Sequence, residues 1–395
     1  MNVLIADKLS DSTKNDLEAL GASIRFEPGL TAEDLPAAVG DAEILIVRST
    51  KVTRETIEKG ESLSLIIRAG AGVNTIDLEE ASSRGIHVAN CPGKNSDAVA
   101  ELAMGLIIAA DRRIADATMD LRQGVWNKKL YGNASGLKDR TLSIIGMGSI
   151  GRGTADRGKA FGMKVAAWSR SMTPEKAKEW GVDYCSSPEE AASRADVLSI
   201  HLAAGKDTTH SIGKKVFDSL KEGAIFVNTS RGEVVDTPAL KEAIQSKGIK
   251  AALDVYENEP GATDKGFNDS ELAALITGTH HIGASTDQAS EAIASEVVRI
   301  VQAYRDSGKP LHQVNSQDKS LAHYNLVVRH YNRVGVLAAV LGVLRIASIN
   351  IEEMENSIFS GSRAAVCTLK LDDKPSKEVM EKIRAIENLI QAVLK

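Results

Sequence analysis

Four residues far apart in the chain are of the types that move a proton beside a carboxylate: Arg231, Asp254, Glu259 and His281. Each follows a short apolar run of β type. Val227-Asn-Thr-Ser-Arg231-Gly232 ends one run, and Leu253-Asp254-Val-Tyr-Glu257-Asn-Glu259-Pro260 ends the next. Thr279-His280-His281-Ile-Gly283 follows a third. In a parallel sheet such positions share the carboxyl edge, where ligands bind. Histidine titrates near neutral pH and serves as acid or base. A carboxylate on its other ring nitrogen orients the ring and favours the imidazolium. A guanidinium grips a carboxylate with two parallel hydrogen bonds. Taken singly, an arginine after a strand is an ordinary surface ion pair, and a histidine before glycine is an ordinary loop residue. Their joint placement gives the chemical reading its weight. No zinc-ligand spacing is present, so polarisation falls to Arg231 and His281.

The stretch 141–170 supplies a second component. An apolar run to Ile145 leads into Gly146-Met-Gly148-Ser149-Ile150-Gly151, a helical run to Gly162, and another apolar run to Trp168. Strand, Gly-x-Gly-x-x-Gly turn, helix and strand within about 30 residues form a dinucleotide-binding unit. Gly146 allows the tight turn, Gly148 lets the backbone approach a pyrophosphate, and Gly151 lets helix and strand pack closely. The helix start at Ser149 and Ile150 offers its N–H groups to the phosphates. With a nicotinamide there, the four residues suit hydride transfer to or from a 2-hydroxy acid, His281 handling the hydroxyl proton. NAD-binding units place Asp or Glu at the end of the second strand. Here Ser169 stands 18 residues after Gly151, followed by Arg170. Either Arg170 pairs with the 2′-phosphate of NADP, or Ser169 bonds the ribose of NAD and Arg170 lies in solvent. Both readings remain open.

These residues need a scaffold, and 395 residues suffice for two or three domains. The chain is 43% hydrophobic and 26% charged, ordinary for a globular protein. Its net charge of −5 gives no reason to expect nucleic acid or anionic membrane as a partner. Cys91, Cys185 and Cys367 are far apart and suit a reduced, cytoplasmic compartment. The first residues lack the basic region and long apolar run of a signal peptide. Apolar runs near 102–110 and 334–346 are too short or interrupted to span a bilayer.

Strands are expected over 2–6, 23–26, 43–47, 63–68 and 86–88, with helices between them. The segment 96–124 reads as one long helix stopped at Gly124. Strands follow over 142–145, 164–168, 197–200, 224–228, 250–253 and 275–277, and a helix over 286–308 is long enough to cross back. The last 75 or so residues read βαββαβ. The expected fold is therefore α/β, with two doubly wound Rossmann-like domains and a C-terminal ferredoxin-like domain. Residues 1–93 with 283–312 form the expected substrate domain, and 94–282 the dinucleotide domain. A linker over 313–322 leads to the tail domain, 323–395.

The motifs at 146–151, 228–232, 254–260 and 281–283 resemble those of the D-isomer-specific 2-hydroxyacid dehydrogenases, over roughly residues 1–312. The resemblance implies that Arg231 binds the substrate carboxylate and carbonyl, and that Glu259, not Glu257, orients the acid/base His281. It implies that Thr229, Ser230 and Asp254 face the nicotinamide carboxamide and that Gly283 and Ala284 complete the cofactor site. Two positions depart from the family: His280 replaces a usual proline, and the loop after His201 lacks the proline of a His-x-Pro motif. Within the family the likeness is to the branch that oxidises 3-phosphoglycerate for serine synthesis. Arg48 and Ser49, with Thr53, resemble its phosphate-binding strand end, although Arg48 also reads as a surface residue. Arg68-Ala-Gly-Ala71-Gly72-Val73-Asn74 resembles its substrate loop, and Gly124-Val-Trp126-Asn-Lys128 also matches.

The tail resembles an ACT regulatory domain. His330, Asn332 and Gly335, with Asn350, resemble its serine-binding residues, and Val334 replaces a usual proline. The competing readings are an NADPH-linked reductase of glyoxylate, hydroxypyruvate or another 2-keto acid, and a non-catalytic cofactor-sensing regulator. The intact Arg231, Glu259 and His281 set speaks against the last. Long helices and unpaired sheet edges suggest a homodimer or homotetramer.

Overall fold

The computed structural model describes residues 1–260, 266–316 and 322–395. They form two units, Met1–Asn315 and Ser316–Lys395. The first unit contains two parallel sheets. One is built from β1 (Asn2–Ile5), β2 (Ser23–Phe26), β3 (Ile44–Val47), β4 (Leu65–Arg68) and β5 (His87–Asn90), in the order β2-β1-β3-β4-β5. The other is built from β6 (Thr141–Ile145), β7 (Lys164–Trp168), β8 (Asp183–Tyr184), β9 (Val197–Ile200), β10 (Ile225–Asn228), β11 (Lys250–Leu253) and β12 (Ile276–Gly278). Its order is β12-β11-β10-β9-β6-β7-β8. Strands β3, β9 and β10 are buried at every position, as strands covered by helices on both faces must be. The strand order reverses at β6, and such a reversal opens a crevice at the carboxyl ends of the strands. The two-residue β8 was not foreseen, being too short to show a period.

The single helix expected over 96–124 is two. Arg113 takes left-handed backbone at φ 53° and separates Ser96–Arg112 from Ile114–Arg122. The first buries Val99, Ala103, Leu106, Ile107 and Ala110 along one stripe. The second has helical spacing of apolar residues but buries none of them. The helix Asp287–Ser307 returns to the first sheet, where Ile293, Val297, Ile300 and Val301 pack with Val3, Ile5 and Ile44.

Part of the expected linker is anchored instead. Gln313 bridges to Ala89, Val314 N donates to the Val88 carbonyl at 2.8 Å, and Asn315 Nδ2 donates to the Ile86 carbonyl at 2.8 Å. This backbone satisfies the open edge of β5. Residues 317–321 of that expected linker lie outside the described residues. Among the described residues no helix is long and apolar enough to cross a membrane.

The second unit is an antiparallel sheet of β13 (Tyr324–Tyr331), β14 (Ile351–Ile358), β15 (Ala364–Leu371) and β16 (Leu389–Leu394), ordered β14-β15-β13-β16. The helices Val336–Ile346 and Lys377–Arg384 complete a βαββαβ sandwich. Burial alternates along β15, the mark of a sheet covered on one face.

Candidate active site

The chain turns immediately after β6. Gly146 has φ 103°, and a Cβ on it would stand 2.3 Å from the His201 carbonyl oxygen. A Cβ on Gly151 would stand 2.0 Å from the Gly146 carbonyl oxygen, so both positions demand glycine. At Gly148 a Cβ would meet nothing within 4 Å, leaving that side of the turn open. Gly148 caps the helix Ser149–Ala160 without a side-chain hydrogen bond. The first N–H groups of that helix are therefore free to meet an anion. Thr229 Oγ1 is buried without a hydrogen-bond partner among the described residues. These features fit a dinucleotide, with Gly146, Gly148, Ser149, Ile150 and Gly151 at its pyrophosphate. Beyond β7, Ser169 is partly buried, and the exposed Arg170 lies 4.0 Å from the Asp207 carboxylate.

Strands β10, β11 and β12 end side by side and bring together the expected acid–base residues. After β10, Asn228 Nδ2 donates to the Arg231 carbonyl at 2.9 Å, while its Oδ1 accepts from Ser230 N and Oγ at 3.0 and 2.7 Å. After β11, the buried Asp254 accepts from Thr279 Oγ1, Ile282 N and Gly283 N at 2.6, 2.8 and 2.9 Å. Both Asp254 oxygens thus hold the turn that carries His281, a role not apparent from the sequence. His281 takes φ 52°, an uncommon conformation that this turn imposes. Its Nδ1 lies 2.7 Å from Glu259 Oε2, and Glu259 Oε1 accepts from Tyr256 N at 3.0 Å. That bond leaves Nε2 as the ring nitrogen not engaged by Glu259. Glu257 lies apart from His281 and bonds His210.

The hydrogen bond to Glu259 raises the His281 pKa, against the opposing effect of burial. Burial also opposes ionisation of Glu259, yet the His281 bond and charge, the Tyr256 amide and Arg231 hold its pKa below the usual carboxylate value. The two directions define a stability window. The raised His281 pKa contributes stability that is full below about 6.5 and lost as pH rises through the higher folded value. The lowered Glu259 pKa contributes stability present above about 4.5 and lost as pH falls through the lower folded value. Glu259→Gln is therefore expected to depress Tm most between about pH 4.5 and 6.5. Melting curves of both proteins across that range check this, and an equal loss of Tm at every pH would contradict it.

The residues expected to bind substrate follow strands of the first sheet. Asp7 Oδ2 accepts from the amides of Arg48, Ser49 and Thr50 at 2.7, 3.1 and 3.0 Å, fixing the turn after β3. The Ala71 carbonyl accepts from Asn90 Nδ2 at 2.6 Å. A Cβ on Gly72 would stand 2.6 Å from Arg231 Nη2, so the guanidinium lies against the 71–73 backbone. Arg68 opens that loop. Its guanidinium folds over Gly70, where a Cβ would lie 1.4 Å from Nη1, and its buried Nε has no hydrogen-bond partner among the described residues. Burial first, then Arg231 and Arg48, push the Arg68 pKa down, with Asp7 opposing. Arg68 therefore lies within the electrostatic reach of two other guanidiniums, Arg231 and Arg48. The signal for Arg68 was available, because it ends β4 as Arg48 follows β3.

In the second unit the residues expected to hold an effector are not brought together. His330 is buried, its Nδ1 2.8 Å from the Tyr331 carbonyl oxygen and its Nε2 3.4 Å from Asn356 Oδ1. Asn332 sits beside Ser362 and Arg363, before β15, and Asn350 sits beside Asp372, after it. The eight residues of β15 hold them about 25 Å apart. The helix Val336–Ile346 carries the chain back to the other end of the sheet, so Asn332 after β13 and Asn350 before β14 must lie at opposite ends.

Residues 104–283 match the family model described as "D-isomer specific 2-hydroxyacid dehydrogenase, NAD binding domain". The chain is 40% identical over 306 residues to a D-3-phosphoglycerate dehydrogenase of Methanocaldococcus jannaschii, covering 76% of this chain and 57% of that protein. It is 39% identical over 284 residues to a glyoxylate reductase of Thermococcus litoralis, covering 70% and 83% respectively. The chain spans little more than half the length of the first phosphoglycerate dehydrogenases it matches. A solved structure of NAD+-bound 3-phosphoglycerate dehydrogenase from Entamoeba histolytica aligns with TM-score 0.67 at 28% identity, covering 80% of this chain and 99% of that one.

Proposed function

Because the chain belongs to the D-isomer-specific 2-hydroxyacid dehydrogenases, we propose that it interconverts a D-2-hydroxy acid and its 2-keto acid with NAD or NADP. The nicotinamide, when bound, supplies the hydride acceptor or donor. Arg231 binds the substrate carboxylate against the Gly72 backbone. His281 takes the hydroxyl proton at Nε2 during oxidation and returns it during reduction. Glu259 stabilises the imidazolium through Nδ1, and Asp254 keeps the His281 turn in place.

The proposed substrate is 3-phosphoglycerate, oxidised to 3-phosphohydroxypyruvate in L-serine biosynthesis. The arginine cluster carries this reading. A single carboxylate needs one guanidinium, whereas Arg68, with an unsatisfied buried Nε, also feels the charges of Arg231 and Arg48, which calls for a polyanion. Reduction of glyoxylate or hydroxypyruvate is the second reading. It is supported by the likeness to a glyoxylate reductase over 83% of that protein, and Ser169-Arg170 would suit NADPH. Initial rates of NADH and NADPH oxidation with 3-phosphohydroxypyruvate, hydroxypyruvate and glyoxylate separate the two. The expected result is a strong preference for the phosphorylated acid. Arg48→Ala and Arg68→Ala should each lower kcat/KM for it by about 10- to 100-fold, with smaller losses on the others. Equal rates on all three acids would favour the general reductase.

The second unit is proposed to be an ACT-type module that binds serine. One module keeps Asn332 and Asn350 at opposite ends, so a ligand held by both must bridge two copies. A homodimer or homotetramer agrees with this and with the exposed Ile114, Met119, Leu121, Val125, Trp126 and Leu130 around a helix that buries nothing. A cytoplasmic setting accords with three free, buried cysteines.

A further inference from the structure

The loop after β9 has no part in the proposed chemistry, yet it runs along the whole site. It begins at His201, whose amide donates to the Ile145 carbonyl at 2.8 Å and whose own carbonyl backs onto Gly146. Midway, Asp207 meets Arg170 beyond β7. Near its end, His210 N donates to the Glu233 carbonyl at 2.9 Å, and His210 Nε2 lies 2.5 Å from Glu257 Oε1. The other Glu257 oxygen accepts from Thr237 N at 3.3 Å. The loops that follow β9 and β11 and the start of the helix Thr237–Lys247 after β10 are thus tied together at one carboxylate. That carboxylate is two residues from Glu259.

Two histidine–glutamate pairs therefore leave one short loop: His210–Glu257 and His281–Glu259. Both histidines have left-handed backbone, at φ 51° and 52°. Such backbone costs energy and persists where surrounding contacts over-determine it. A casual surface ion pair requires neither that strain nor the second bond on Glu257. The groups that act electrostatically on His281 are Glu259, Arg231 and Asp254, with His280 its chain neighbour. His210 reaches it only through the 257–259 backbone.

We propose that His210 and Glu257 are positioning residues that tie the loop flanking the nucleotide turn to the loop carrying Glu259, so that the first governs how Glu259 seats on His281. This rests on the dehydrogenase reading of the site. The test uses His210→Ala, Glu257→Gln and His210→Asn, the last keeping a donor and tolerating left-handed backbone. One readout needs no turnover. The His281 ring is titrated by NMR in the cofactor-free full chain, its signal identified by loss in His281→Asn. The second is the coenzyme KM together with the alkaline limb of kcat/KM for keto-acid reduction.

The expected result is a His281 pKa displaced downward in His210→Ala and Glu257→Gln, because a poorly seated Glu259 raises it less. The alkaline limb moves the same way, the coenzyme KM rises about 3- to 10-fold, and His210→Asn recovers part of each change. Should His210→Ala fail to fold, the near-isosteric Glu257→Gln decides. A His281 titration unmoved in a folded Glu257→Gln protein would overturn the proposal, whatever happens to Tm. A wild-type protein inactive on every 2-keto acid, with the titration still displaced in the variants, would overturn the dehydrogenase reading and leave the coupling standing.

Discussion

Replacing His281 with asparagine is expected to lower kcat by about 10²- to 10⁴-fold in both directions, with coenzyme affinity changed by less than about threefold. Asparagine tolerates the left-handed backbone that the turn imposes at this position. Asp254 can therefore still hold the amides of Ile282 and Gly283, and the loss reports proton transfer rather than collapse of the turn. The pH dependence should change with it. Reduction needs the protonated ring, so wild-type activity falls as pH rises through the elevated His281 pKa. Oxidation needs the neutral ring and gains activity over the same interval. Both limbs should vanish from the residual rate of the variant. Steady-state profiles in the two directions measure this, and a variant that kept most of its activity would point to His280 or water as the acid.

Gly232→Ala should do nearly as much damage without touching a reactive group. A Cβ there would lie 1.8 and 1.9 Å from the carbonyl oxygen and carbon of Tyr256, and 2.4 Å from Glu257 N. These are backbone atoms, so no side chain can swing aside. The 256–259 loop must move by more than an ångström, carrying Glu259 off His281 while Arg231, the preceding residue, is displaced too. Misplacement on that scale costs about 10²-fold in rate, and kcat/KM should fall by at least that much, with a lowered Tm. Gly105→Ala is the control: it sits in the helix Ser96–Arg112, where a Cβ meets nothing within 4 Å, and should leave activity intact and Tm equal or higher. Activity close to wild type in a folded Gly232→Ala protein would mean that the loop is not held against this glycine.

Much of the positioning was readable from local sequence. Apolar runs such as Ile44–Val47 and Ile225–Asn228 end abruptly in polar residues, so the shared edge that carries Arg231, Glu259 and His281 follows from alternation alone. What escaped depends on contacts between distant segments. That Asp254 holds the His281 turn was hidden because nothing near it in sequence reveals that Thr279, Ile282 and Gly283 will surround its carboxylate. Arg68 reads as the start of a loop because the charges of Arg48 and Arg231 that act on it come from separate strand ends. Arg113 broke an expected helix with one dihedral angle that no hydrophobic period records. Asn332 and Asn350 were paired by resemblance, without following the crossover helix that sends them to opposite ends of β15.

The helix Ile114–Arg122 has nine residues and buries none. Isolated helices of that length are marginal in water, because nucleation costs more than so few hydrogen bonds return. Its helicity is thus not secured by the core beneath it, as that of Ser96–Arg112 is. If the proposed partner copy covers Met119, Leu121 and Trp126, the fraction of molecules in which the helix is wound follows its concentration by mass action. In the homodimer or homotetramer proposed above, dilution is expected to unwind this segment while leaving both parallel sheets intact.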